Sequence, residues 1–183
     1  MLIWNYFTSS EFLLDQNLFV CEYCHINYAK RSFVLGMKQV TTDRLIIAGL
    51  AIRTKNQEAA ETIPALWGRF FSEEIPSKIP SPSSADVYAV YTDFEYPGVS
   101  NEGEYTFLIG LPVDSASLLP DGFTSVEIPA SSYYQFDVEK GKPEKVFDKW
   151  QEIWQMEKLN KTFLCDFECY TNTGEISIHV GTA

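Results

Sequence analysis

The second half of the chain repeats the first. Asp93-Phe94-Glu95-Tyr96 leads through a loop to a strand-like run from Gly103-Glu104 to Gly110. Asp166-Phe167-Glu168-Cys169-Tyr170 leads in the same way to a run from Gly174-Glu175 to Gly181. Each time a D-F-E strand enters a polar loop and then a G-E-x5-G strand, and a Trp-bearing helical segment precedes the copy. Two copies are too few for a solenoid, whose repeats must stack to bury their faces. The repeat therefore predicts two similar halves closing on one another, with a cleft at their pseudo-symmetric interface.

Hydrophobic periodicity fills in the elements. Residues 38–55 read as one strand, with Gly49 marking a bulge or a close backbone approach. Residues 57–74 read as a helix whose stripe is Ile63, Leu66, Trp67, Phe70 and Phe71, with its tight part beginning near Thr62 and Pro64 in the first turn. A Pro/Ser loop covers 75–84, and 86–96 and 104–113 form a hairpin. Strands follow at 123–129 and 132–137. A second helix over 143–159 carries Val146, Phe147, Trp150, Ile153 and Trp154, and 162–170 with 175–181 close the chain as a hairpin. The pattern is strand–helix–strand–strand twice: an α+β fold of two pseudo-symmetric modules, with one antiparallel sheet, two helices and a central cleft.

Residues 1–36 differ from the rest, with scattered aromatics and no clean period. They read as an N-terminal extension packed on the domain, or as upstream sequence with Met37 the natural start; both readings stay open. Their Cys21-Glu22-Tyr23-Cys24-His25 run matches the C-x-x-C-H pattern of haem attachment. That chemistry needs an export signal and an axial partner, and zinc needs a second ligand pair that His179 alone does not supply. We therefore expect neither metal nor cofactor.

Charge and composition narrow the function. A net charge of −11 repels phosphate backbones and anionic lipid surfaces, so neither nucleic acid nor membrane is expected as a partner. No apolar run is long enough to span a bilayer, and the N-terminus lacks the basic region of a signal peptide. Cys165 and Cys169 sit too far apart along one strand to bridge, so reduced thiols and a cytoplasmic setting fit.

The segments IIAGLAIRT, IPALWGRF, YAVYTDFE, GEYTFLIGLPV, VEIPASSYYQF, FDKWQEIW and DFECY, in this order, resemble the GyrI-like effector-binding domain. That domain is also the ligand-binding part of AraC- and MerR-type multidrug-responsive activators. The resemblance covers 37–183, about four-fifths of the chain. It implies a central cleft that binds bulky hydrophobic or cationic small molecules, with aromatic walls and a glutamate in the D-F-E-x-Y segment. Here that glutamate is Glu168, with Tyr170 two residues on. No DNA-binding domain accompanies the resemblance in this chain, and a homodimer is compatible with it.

Period two puts Asp166, Glu168 and Tyr170 on one strand face, and Cys165, Phe167 and Cys169 on the other, against the helices. On pattern alone the first face is a solvated one; the resemblance turns it into the ligand face. A carboxylate beside aromatic rings suits an organic cation. Tyr91, on the Glu95 face of the first copy, joins it, and Trp67, Tyr105, Tyr133 and Trp150 complete the candidate walls. The resemblance also admits two other roles. One is a hydrolase of reactive cyclopropane-bearing compounds, using the cleft glutamate to direct water. The other is a protein-interaction module of the gyrase-inhibitory type.

Overall fold

Alternating apolar residues build one eight-stranded antiparallel sheet in the computed structural model, which describes residues 37–183. The chain order is β1 (Met37–Thr42), β2 (Leu45–Lys55), α1 (Ala59–Ser72), α2 (Ile75–Lys78), β3 (Val87–Thr92) and β4 (Glu104–Val113). There follow β5 (Thr124–Ile128), β6 (Ser131–Val138), α3 (Val146–Trp154), β7 (Lys161–Tyr170) and β8 (Ile176–Thr182). Across the sheet the order is β1-β6-β8-β7-β3-β4-β2-β5. The two modules, β2-α1-β3-β4 and β6-α3-β7-β8, meet where β3 pairs with β7. The segment 1–36, with the Cys21–His25 run, lies outside the described residues.

The helices cover one face, each over its own module. Leu66 and Phe70 of α1 pack on Ala48, Leu50, Phe107 and Ile109. Val146, Trp150 and Ile153 of α3 pack on Phe136, Ile176, Ile178 and Val180. Tyr91 and Tyr170 touch both clusters, so the module boundary is built from tyrosines.

Several expected boundaries move. The stretch 38–55 is two strands, broken at Asp43-Arg44, because β1 pairs with β6 while β2 pairs with β4 and β5 in the other half. The helix α1 begins at Ala59, so Pro64 sits inside it, beyond the first turn; its missing N–H leaves one carbonyl of the turn below without a helical partner. The 75–84 loop contains the one-turn α2, anchored by the buried Ile75, with Pro76 in the first turn where no N–H is needed. The second α-helix spans only Val146–Trp154, after a 3-10 turn at Pro143–Lys145.

The largest correction concerns the repeat. Strand β3 ends at Thr92, because Asp93 adopts a left-handed φ of 49°. The first D-F-E therefore leaves the sheet, while the second lies within β7. Ladder register gives the true equivalence. In β4, Phe107 pairs with Tyr91 and Leu108 with Val90. Their counterparts in the second G-E-x5-G strand, Ile178 and His179, pair with Glu168 and Phe167. The pseudo-two-fold thus relates Tyr91 to Glu168, and Val90 to Phe167. Val90 and Phe167 also pair with each other, so the axis passes through them. The two D-F-E triplets are out of structural register.

The face away from the helices is equally apolar. Ile47, Val90, Leu108, Ile128, Tyr133, Cys165 and Phe167 form a buried cluster there, drawn from both halves of the sheet. The sheet curls to bring them together. In the β2–β4 ladder Gly49 pairs with Gly110, and a Cβ on either would lie 2.0 Å from a carbonyl oxygen of the facing strand. The expected close approach at Gly49 is thus between backbones. We predict that Gly110→Ala lowers stability by about 1–3 kcal/mol, the usual range for overpacking. A lower urea midpoint at unchanged slope checks this; an unchanged midpoint would show that the strands part freely.

Candidate functional site

Glu168 sits mid-strand on β7, within the segment that pairs with β3, and faces the helices. This reverses the expected orientation, in which Cys165, Phe167 and Cys169 met the helices. Curling had already given the far face a cover, so alternation alone could not say which face the helices take. Directly opposite Glu168 in the ladder is the buried Ala89.

The carboxylate is 3% exposed. Three donors reach it. Tyr91 donates its hydroxyl to Oε1 at 2.7 Å, Trp150 its indole N–H to Oε1 at 2.6 Å, and Tyr170 its hydroxyl to Oε2 at 2.6 Å. They come from three elements: β3, α3 and β7 itself. Burial raises the carboxyl pKa above its ordinary value, and the three hydrogen bonds pull it back down. Burial, with the neighbouring carboxylate, pushes both tyrosines well above their usual range, so they remain neutral donors.

Rings enclose this centre. Tyr91 meets Trp150 edge-on at 5.4 Å and Phe107 at 4.8 Å between centroids, with Tyr105 at 5.9 Å. Tyr170 meets Trp67 of α1 edge-on at 5.3 Å. Of the residues expected from sequence, Glu168, Tyr170, Tyr91, Trp150, Trp67 and Tyr105 thus lie together. Tyr133 does not: it packs on the far face against Phe167 and donates its hydroxyl to the Pro129 carbonyl. Its strand β6 alternates, and Tyr134 is the one that turns toward the helix side. Glu95 is exposed in a loop, where it accepts the Glu104 amide. Three further aromatics, not among the candidate walls, join the cluster. Phe107 follows Tyr105 by the strand period, while Phe71 and Trp154 follow Trp67 and Trp150 by one helical turn. Phe71 and Trp154 stack on those indoles and are about half exposed, so the ring cluster continues outward along both helices.

Known proteins share this architecture. The family of integron-associated effector binding proteins, Cass2, matches residues 39–181. The chain belongs to this family. The Bacillus subtilis (strain 168) protein YobU, named as a candidate transcriptional regulator, is 32% identical over 150 residues, covering 78% of this chain and 91% of YobU. The fold is shared with the integron cassette protein VCH_CASS2 from the mobile metagenome of Vibrio cholerae. That match has a TM-score of 0.67 at 21% identity and covers 81% of this chain and 97% of that one. It is shared too with SAV2435, solved bound to tetraphenylphosphonium, at a TM-score of 0.62 and 15% identity, covering 80% and 93% of the two chains. The expected GyrI-like, effector-binding fold is thereby borne out, and with it a small-molecule-binding domain.

A second buried acid lies on the same strand face. Asp166 accepts the Gly181 amide at 2.9 Å, and burial raises its pKa to about 6, against a weaker lowering by Gly181 and Lys161. Among the described residues no helix is long and apolar enough to cross a membrane, and no group of three or more His, Cys, Asp or Glu side chains could hold a metal ion.

Both carboxylates have measurable consequences for stability. Tyr91→Phe removes one donor from a buried carboxylate and should cost about 1–3 kcal/mol. Tyr105→Phe should cost less, because its hydroxyl has no side-chain partner among the described residues; urea titration compares them. For Asp166 the native state holds its proton more tightly than the unfolded chain, whose carboxyl titrates near 3.8. Its contribution is therefore most favourable at low pH and is lost as pH rises from about 4 to about 6. Asp166→Asn should accordingly gain stability over wild type across that window, by at most about 3 kcal/mol at about 1.4 kcal/mol per pKa unit. A difference that does not vary with pH would show that Asp166 titrates normally.

Proposed function

We propose that this chain is an effector-binding protein for bulky hydrophobic or cationic small molecules, held between α1 and α3 with Glu168 as counter-ion. The observation that carries the reading is the buried Glu168 carboxylate, ringed by aromatic side chains at the module boundary. Burying an ionised carboxylate is costly unless it is paired. Tyr91, Trp150 and Tyr170 supply hydrogen bonds but no compensating charge, and an organic cation would supply it. The ligand would displace rings that now touch across the site, with Trp67 and Trp150 as the moving walls. Cation–π contact contributes about 0.5–2 kcal/mol, so for a charged ligand the carboxylate matters more than any one ring. The net charge of −11 adds a long-range bias that raises the local concentration of cations. Tetraphenylphosphonium, the ligand in the SAV2435 structure, has the size and charge this reading requires.

Glu168→Gln tests it with little change of shape. The amide oxygen can keep the bonds from Tyr91 and Trp150, both of which reach Oε1, and the Tyr170 hydroxyl can turn to accept from the amide nitrogen. Trp fluorescence titration with tetraphenylphosphonium should show binding weakened by at least about tenfold, the lower end of what losing one partner of a buried charge pair costs. Neutral triphenylphosphine oxide should lose much less, and Glu95→Gln should change neither. Cation binding as tight as in wild type would sink the counter-ion role. Recovery of the compound chemically unchanged separates this reading from the hydrolase, which would consume its substrate.

A further inference from the structure

Strand β7 carries a large irregularity. Lys161 pairs with Thr182, and the next pair along the same ladder is Asp166 with Val180. The intervening residues bulge away, with Phe163 at a left-handed φ of 49°. The bulge opens a cavity of about 230 Å³ between β7 and the last turn of α3. Trp150, Ile153 and Trp154 border it from α3, Lys161 and Asp166 from β7, and Asn101 from the β3–β4 loop. Glu168 is not part of its lining, although Trp150 touches both places.

Asp166 is 9% exposed. Its Oδ1 is taken by the Gly181 amide, and among the described residues its Oδ2 has no hydrogen-bond partner. A carboxylate oxygen that borders a cavity is an acceptor open to a donor there. The carbonyl end of α3 adds negative potential on the other side. Lys161 opposes a cation here, but its ammonium is turned to the Ile153 carbonyl at 2.9 Å rather than to Asp166. The stacked indoles of Trp150 and Trp154 supply apolar, electron-rich walls. The volume falls below the roughly 300–1,000 Å³ of drug-sized pockets, so it suits one ring rather than several.

We propose that this cavity is a second ligand subsite, separate from Glu168, that takes a primary ammonium carried on a single aromatic ring, with Asp166 Oδ2 as its acceptor. The proposal goes beyond the Glu168 reading and does not rest on it. A larger ligand could occupy both places by passing Trp150, since Asp166 and Glu168 lie on one strand face.

Phenethylammonium, followed by NMR of the indole N–H resonances, tests this in the full chain. Saturable shifts are expected at Trp150 and Trp154. Asp166→Asn should weaken binding by at least about tenfold, as expected for a charge losing its partner. Lys161→Met should tighten it, neutral 2-phenylethanol should bind far more weakly, and Glu168→Gln should weaken it far less than Asp166→Asn does. Asn101→Trp fills the cavity from the loop and should abolish the shifts, which keeps the test decisive if Asp166→Asn fails to fold. Unaltered affinity in Asp166→Asn, persistence of the shifts in Asn101→Trp, or equal binding of the alcohol would overturn the subsite. A loss in Glu168→Gln as large as that in Asp166→Asn would also overturn it, by assigning the amine to the central site. Failure of the tetraphenylphosphonium test would bear on Glu168 alone.

Discussion

The described domain is organised around one electrostatic problem, a carboxylate buried at the joint between two halves. Glu168 is at the centre of the sheet, beneath α3, where water is excluded. An unpaired acid there would be among the most unfavourable features of the fold. Tyr91, Trp150 and Tyr170 answer it with three hydrogen bonds, and each comes from a different element. The carboxylate therefore ties β3, α3 and β7 to one point, and the position of α3 relative to the sheet depends on it.

Pseudo-symmetry explains why the acid has this company. The two-fold relates Tyr91 to Glu168, so one half supplies a phenol where the other supplies a carboxylate. The two positions lie on the same sheet face, close enough for a direct bond. Each helix covers its own module, and Trp67 and Trp150 reach the joint to touch Tyr170 and Tyr91. The result is a site with aromatic rings from both halves, of which only one carries the counter-charge.

Much of this was legible in the sequence. Helices and strands follow from periods that local chemistry sets, and the doubled pattern named the architecture. Glu168, Tyr170, Trp67 and Trp150 were legible through the order of the matching segments. The D-F-E repeat misled, because a shared triplet carries no information about φ at Asp93, and that one left-handed residue takes the first copy out of the sheet. Tyr133 misled for another reason. Tyr133 and Tyr134 are adjacent, they face opposite ways, and the choice between them is a matter of strand register.

Composition and pattern were enough to settle an acidic α+β domain of two modules with an aromatic-rich boundary, because charge, periodicity and repetition are properties of the chain read in order. They could not settle which sheet face the helices cover. Both faces are apolar, and the answer comes only from the packing of α1 and α3 on one of them while residues of both halves meet on the other. Nor could they reveal the β7 bulge that sets Asp166 beside a cavity. Long-range pairing decides such things, since register and curvature arise only when strands distant in sequence meet, and each residue's surroundings are then fixed by partners its own neighbours do not encode.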